Sequence, residues 1–240
     1  MAHFLTPRLG VNIDHIATLR QLRGTAYPDL LSAAQIVENS GGEQITVHLR
    51  EDRRHIQDAD VKLLRKELKI PLNLEMAATD EMVRIACQVK PNWSCLVPEK
   101  RQELTTEGGL DLKKNFKNLK KAIPWLQKAG VRVSLFVEPS LEAVRLSHEL
   151  GADAVELHTG RFCKSTSAFE LKRIREASLE AKKLGLHAHA GHGLDYENIR
   201  FLSSLHLVEE YNIGHSIVCR AVLVGLERAV REMISSMLSP

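Results

Sequence analysis

The sequence predicts an α/β fold, a (β/α)8 TIM barrel with extra helices, formed as a single domain over residues 1–240. Three observations predict it. Short apolar or β-branched runs alternate with amphipathic helical segments along the chain. The roughly eight strand–helix units come close to filling the roughly 250 residues that such a barrel typically needs. Ionisable residues recur at the carboxyl ends of successive strands, the face where barrels carry their chemistry. A doubly wound sheet is the alternative for the same alternation, but no Gly-x-Gly-x-x-Gly turn follows the first strand. No low-complexity stretch or linker divides the chain.

Taken in order, Leu9 to Ile13 is a short extended run, followed at once by Asp14-His15. Pro28 to Ser40 reads as a helix, with Leu30, Leu31, Ala34 and Val37 on one face. Gln44 to His48 is strand two, and Asp58 to Leu68 is a helix with Val61, Leu64 and Leu68 at helical spacing. Pro71 to Met76 is strand three, after which Thr79 caps a helix to about Gln88. Asn92 to Val97 is strand four. The polar loop Leu104 to Asp111, with paired glycines, has the composition of a hinged lid. A helix to Lys128 follows, with Phe116, Leu119, Ile123 and Leu126 aligned. Val131 to Val137 is strand five, Leu141 to Leu150 a helix, and Ala154 to His158 strand six. Phe169 to Leu184 is a long helix, Leu186 to His189 strand seven and Glu209 to Ile213 strand eight. One last helix is expected from Ser216 to Met237.

Composition narrows the function. With 33 basic and 30 acidic residues the net charge is only +3, both signs are interspersed, and nucleic-acid binding is not expected. Cys87, Cys95, Cys163 and Cys219 form no Cys-x-x-Cys pair, which suggests free thiols in a reducing, cytoplasmic setting. Met1 to Pro7 lacks the apolar core of a signal peptide, and no run is long enough to span a membrane.

The chemistry is concentrated at the strand ends. Strand one supplies Asn12, Asp14 and His15; strand two supplies His48 and Arg50; strand three supplies Glu75. Strands six, seven and eight supply Glu156 and His158, His189 and His192, and His215. A single strand-end histidine is more often a hydrogen-bonded structural group, but repetition around a barrel makes coincidence a poor explanation. Arg50, Arg53, Arg54 and His55 form a loop too polar for core, and arginine suits phosphate oxygens. Gly191-His192-Gly193 and Gly214-His215 follow strands seven and eight, where barrels commonly bind phosphate on backbone N–H groups and a helix N-terminus. Two other readings compete. His187-x-His189 could mark a metal-dependent hydrolase, yet the expected Asp or Cys ligands are missing nearby, so no metal is expected. A non-catalytic phosphate- or RNA-binding barrel would have little use for an inward carboxylate such as Glu75, which repels polyanions unless it acts as a base.

Several long blocks occur in order: Gly10 to Arg20, Arg23 to Pro28, Thr46 to Ile56, Asn73 to Met76, Leu96 to Gln102, Thr105 to Leu110, Ala190 to Leu194 and Asn212 to His215. Through them nearly the whole chain closely resembles the pyridoxine 5′-phosphate synthase family. His189 departs from the family pattern, which often has Asn there, and Lys164 to Glu170 is short for its loop. The resemblance implies a ring-closing enzyme of vitamin B6 formation. It condenses 1-deoxy-D-xylulose 5-phosphate with 3-amino-2-oxopropyl phosphate, giving pyridoxine 5′-phosphate, inorganic phosphate and water. It further implies no metal or organic cofactor, a barrel with extra helices and a homo-octamer, to which a terminal helix or Phe4-Leu5 could contribute contact surface. By motif position, His48 and Glu75 are implied as proton acceptors and His192 as a proton donor. Asp14, His15, Arg50, His55 and Thr105 are implied to hold the deoxyxylulose phosphate, and Asn12, Arg23, Gly193, Gly214 and His215 the aminoketone phosphate. Another phosphosugar aldolase or isomerase on the same barrel is the runner-up.

Overall fold

Alternation along each strand decides what fills the barrel. Gln44–His48 places Gln44, Thr46 and His48 on one face and Ile45 and Val47 on the other, and Leu72–Met76 does the same with Asn73 and Glu75. In the computed structural model, which describes residues 6–99 and 108–238, the polar set points inward and the apolar set packs outward against helices. The main core is therefore the shell between barrel and helices, and the barrel interior is a hydrogen-bonded polar column. Gln44 Nε2 donates to Glu210 Oε1 (2.6 Å), Thr46 Oγ1 to Asn212 Oδ1 (2.9 Å), and Asn212 Nδ2 to Glu156 Oε2 (2.9 Å). These bonds offset the desolvation that burying such groups would otherwise cost.

The elements run β1 (Arg8–Asn12), α1 (Asp14–Arg23), α2 (Leu30–Asn39), β2 (Gln44–His48), α3 (Asp58–Glu67), β3 (Leu72–Met76) and α4 (Asp80–Val89). They continue with β4 (Trp93–Leu96), α5 (Leu112–Lys128), β5 (Arg132–Val137), α6 (Leu141–Leu150), β6 (Ala154–His158) and α7 (Gly160–Ser165). The chain then forms α8 (Ala168–Lys183), β7 (His187–Gly191), α9 (Ile199–Ser203), β8 (Glu210–Ile213), α10 (His215–Val224) and α11 (Leu226–Leu238). All eight strands pair in parallel and close, β8 returning to β1, so the predicted (β/α)8 barrel with extra helices is the observed fold. Side-chain caps start the helices where the sequence allows them: Asp29, Thr79, Asp111, Ser140 and Ser167 each accept a first-turn backbone N–H.

Three expectations change, and one unassigned stretch gains an element: the segment from Asp14 is a helix, α1, ending in an αL residue at Gly24. Residues expected as loops after β6 and β7 carry the short helices α7 and α9, and the short loop from Lys164 is the α7–α8 junction, capped by Ser167. The expected single helix Ser216–Met237 is two helices, because Gly225 adopts φ 85°, ψ 153°, a region essentially closed to residues with a Cβ. β7 runs on to Gly191, so His189 lies within the strand and not at its end. Phe4, Leu5 and the expected lid residues Thr105–Glu107 lie outside the described residues. The far end of that loop is tied down, with Gly109 N donating to Glu138 Oε1 (3.2 Å) and Leu110 N to Phe136 O (2.7 Å).

Candidate active site

A cavity of about 680 Å³ opens at the carboxyl ends of the strands. It is lined by Asn12, Asp14, His15, His48, Arg50, His55, Glu75, His192, Gly193, Gly214 and His215, all anticipated from the sequence. Thr18, Arg54, Glu156, Asp195 and Ser216 join them. Arg23 does not line it. It sits in the last turn of α1, exposed. Thr105 lies outside the described residues.

The first two strands are locked together at the mouth. Asp14 Oδ1 accepts the backbone N–H of His48 (2.8 Å), its Oδ2 accepts Asn12 Nδ2 (2.8 Å), and Asn12 Oδ1 accepts the Asp14 N–H (2.9 Å). These bonds fix where the His48 ring can stand. Its Nδ1 is 3.9 Å from Glu75 Oε2, and its Nε2 is 3.5 Å from Glu99 Oε2. Glu75 follows from register, since His48 and Glu75 are paired on adjacent strands with both side chains inward.

Glu75 lines the cavity with its side chain 17% exposed. Burial pushes its pKa well above the usual carboxylate range, and the charges of Glu156 and Asp14 push the same way. Glu156, deeper on β6, is pushed up to about 7 by burial and then by Glu210. Hydrogen bonds from Asn212 and Cys95 partly oppose that rise. Two carboxyls whose pKa values are raised by burial thus face one cavity. The sequence named Glu156 as a strand-end residue but gave it no role. Its inward phase, shared with Glu75, is the signal that could have assigned one.

His15 and His215 meet edge-on, with ring centroids 5.1 Å apart. Burial and His215 lower the His15 pKa against an opposing pull from Asp14. Burial also lowers that of His55, outweighing the Asp14 anion, and its Nδ1 accepts the Ile56 N–H (2.9 Å). The neutral His55 ring therefore carries its proton on Nε2, as a donor. Arg50 is 3% exposed and lies within 3.7 Å of Glu99 Oε1 through Nε.

On the opposite side the chain turns sharply at His192, φ 77°, and Gly193, φ 84°. Thr159 Oγ1 secures the turn by donating to Gly191 O (2.9 Å) and His192 O (2.7 Å). A left-handed histidine is uncommon, and such backbone settings cluster at functional sites. The His192 ring lies 5.0 Å from that of His158, whose Nδ1 is 2.8 Å from Glu138 Oε1. Gly214 then opens α10, whose first residues, His215 and Ser216, line the cavity, and the first N–H groups of a helix have no partner within it.

His189 does not reach this mouth. It is buried inside the barrel with its ring 5.1 Å from Trp93, and Nδ1 is 3.6 Å from Glu210 Oε1. Burial, then the charge of Arg8, drives its pKa down to about 3, so it is a neutral packing group. His158 is likewise buried, in its pair with Glu138. Among the described residues one group could present three ligand atoms to a metal: Asp14, His48 and Glu75, within 4.8 Å of one another. Both Asp14 oxygens already accept hydrogen bonds and burial disfavours the Glu75 anion, a weak donor set for a cation.

A parallel barrel whose mouth combines acid–base groups with a helix N-terminus and arginines is the arrangement of an enzyme. Solved structures of similar fold include phosphoribosyl anthranilate isomerase from Thermus thermophilus, with a TM-score of 0.62, 14% identity and coverage of 97% of this chain and 98% of that one. Another is 3-keto-L-gulonate-6-phosphate decarboxylase from Vibrio cholerae, with a TM-score of 0.65, 14% identity and coverage of 97% and 99%. At these identities the likeness establishes the fold alone. Sequence relatives are far nearer. The chain is 56% identical to a pyridoxine 5′-phosphate synthase of Trichlorobacter lovleyi over 97% of this chain and 99% of the relative. It is 55% identical to one of Bdellovibrio bacteriovorus over 94% and 96%. Residues 9–239 match the family described as pyridoxal phosphate biosynthesis protein PdxJ, and the chain belongs to that family.

Proposed function

We propose that this protein is a pyridoxine 5′-phosphate synthase, joining 1-deoxy-D-xylulose 5-phosphate and 3-amino-2-oxopropyl phosphate in the cavity at the barrel mouth. The observation that carries the reading is one cavity that gathers basic and helix-terminal groups together with the carboxyls of Glu75 and Glu156. Arg50 and His55 line it, as do Gly193 after β7 and Gly214 and His215 at the head of α10, and we read these two sets as the two phosphate ends. The amine attacks the sugar ketone, and the adduct dehydrates to an imine and then an enamine. Phosphate departs, water adds, and an aldol-type closure with further dehydration makes the ring aromatic. Each step moves a proton, so His48 and Glu75 are assigned as acceptors and His192 as a donor. Asp14, His15, Arg50, His55 and Thr105 are assigned to the deoxyxylulose phosphate. Asn12, Arg23, Gly193, Gly214 and His215 are assigned to the aminoketone phosphate. Incubating the purified protein with both phosphates and measuring pyridoxine 5′-phosphate tests the reading directly. Turnover of a different phosphosugar alone would favour an aldolase or isomerase, and binding of phosphates without any turnover a non-catalytic barrel.

A homo-octamer working in the cytoplasm belongs to the same proposal. Leu22 on α1 and Val222 and Leu223 on α10 are exposed, and the two helices pack together, which supports a subunit-contact role that sedimentation can measure.

Two expected results follow from the assignments. Arg50→Ala should weaken mainly the deoxyxylulose phosphate and Arg23→Ala mainly the aminoketone phosphate, by about ten- to hundredfold each, as for loss of a charge-assisted bond of roughly 1.5–3 kcal/mol. Separate KM values for the two substrates check this, and equal losses for both in both variants would argue against two sites. Because Arg23 is exposed and outside the cavity lining, its variant is the sharper test. Prolonged dialysis against chelator should leave turnover unchanged, since proton transfer by these groups needs no Lewis acid. Lost activity that zinc or magnesium restores would overturn that assignment.

A further inference from the structure

Glu99 is a charged side chain hidden behind the cavity wall. It follows β4, its side chain is 1% exposed, and it stands behind His48 and Arg50, which line the cavity. Three groups converge on it. Oε1 accepts the backbone N–H of Glu51 (2.8 Å) and lies 3.7 Å from Arg50 Nε, and Oε2 is 3.5 Å from His48 Nε2. Among the described residues, His48 Nε2 and Glu99 Oε2 are both buried without another hydrogen-bond partner, which makes each the other's natural complement. Burial would raise the pKa of this carboxyl. The close approach of His48, the Glu51 N–H and the charge of Arg50 outweigh it, and the net shift is downward, towards the anion.

From this geometry we infer that Glu99 is a positioning residue for the reaction, orienting the His48 ring and bracing Arg50 from behind. The inference rests on the reading of His48 as a proton acceptor and of Arg50 as a phosphate ligand. Its content is a tautomer. A carboxylate at Nε2 holds the ring proton on that nitrogen and leaves the Nδ1 lone pair facing Glu75 and the cavity. Without Glu99 the same ring can hold its proton on either nitrogen, and only one arrangement presents a base to substrate. Around His48 stand Asp14 from the start of α1, Arg50 and His55 from the loop after β2, Glu75 from β3 and Glu99 after β4. Only Glu99 faces Nε2 at this distance among the described residues. The same carboxylate couples the base to the phosphate arginine, so chemistry and binding on this side share one anchor.

Glu99→Gln is the direct test. Gln keeps the volume but has one oxygen, so one of the N–H donors that converge here must face an amide NH2. The expected result is a fall in kcat of about 10- to 100-fold, the range for losing a carboxylate that orients a functional histidine. KM for the deoxyxylulose phosphate should rise several-fold and KM for the aminoketone phosphate should not move. In a His48→Asn background the added Gln change should leave kcat within about twofold, because residues acting as a unit are not additive. Wild-type kcat in the Gln variant, or an equal rise in both KM values together with a lowered Tm, overturns the inference, as does full additivity with His48→Asn. Full activity of His48→Asn alone would instead overturn the underlying assignment of the base. Glu99→Asp covers the case in which the Gln variant does not fold. It keeps the anion and retracts it by one methylene, so kcat should drop several-fold, and unchanged kinetics there would also refute the role.

Discussion

Glu75→Gln is expected to leave both substrates bound and to cut turnover by about 10²–10⁴-fold, the usual worth of a general base. Gln preserves the shape of a side chain that lines the cavity, so packing around β3 should survive. What it removes is a carboxyl whose pKa burial, Glu156 and Asp14 all push up. Such a group gives up its proton only as pH rises, so wild-type kcat should climb along an acid limb that the variant lacks. An ammonium group on the arriving aminoketone would favour the ionised form and bring that limb lower in the complex. Stability should move the other way. A carboxyl with a raised folded pKa contributes stability that is fully present below its unfolded pKa and is lost as pH rises through the folded one. The wild type should therefore lose Tm relative to Glu75→Gln between mildly acidic and alkaline pH, while the two converge in acid. Turnover of the Gln variant above about a tenth of wild type would assign the base elsewhere, and a parallel pH course of the two Tm values would show that Glu75 is not desolvated as its surroundings imply.

The parts of this site that were legible in the sequence are those fixed by strand phase. In Ile45-Thr46-Val47-His48 and Leu72-Asn73-Leu74-Glu75 the polar residues alternate with apolar ones, so His48 and Glu75 had to share the inner face of neighbouring strands. Gly193 and Gly214 were legible as turn and helix-entry residues for a similar reason. What period-2 reasoning does not contain is depth along the barrel axis. His189 shares the inward phase of Gly191 but lies two residues lower, and there the neighbour is Trp93 at the start of β4, not the cavity. Arg23 is a different case. Its stretch of the chain carries no expected element, so its direction could not be read, and in α1 it sits in the exposed last turn while Asp14 and His15, in the first, line the cavity. Glu99 was hidden because its partners, His48 and Arg50, lie about fifty residues earlier in the chain, and the polar run around it reads as solvated loop. The break at Gly225 was within reach: a glycine inside a helical pattern lowers the case for a continuous helix, and here it ends one.

His192→Asn is the second large effect expected. The choice of Asn follows from the backbone, because His192 sits at φ 77° and Asn is among the few residues that accept the left-handed region. The turn itself is held by Thr159 through the carbonyls of Gly191 and His192, which the substitution leaves in place. Fold and both substrate affinities should therefore persist, and any loss belongs to the imidazole. As a proton donor to departing phosphate or hydroxide, the ring must be protonated, so wild-type kcat should fall as alkali removes that proton. Substrate phosphates beside Gly193 and the head of α10 would favour the charged ring and carry activity further into the alkaline range. Asn has no proton to give, so turnover should drop by about 10²-fold or more and the alkaline limb should flatten. The neighbouring His158 ring, 5.0 Å away and paired with Glu138, is the only other imidazole against this turn among the described residues. It is the candidate that must replace His192 if the prediction fails. The pH profile of kcat in the Asn variant decides between them: an alkaline limb unchanged from wild type would remove His192 as the acid behind it, and loss of that limb with normal KM values would leave His158 a supporting role.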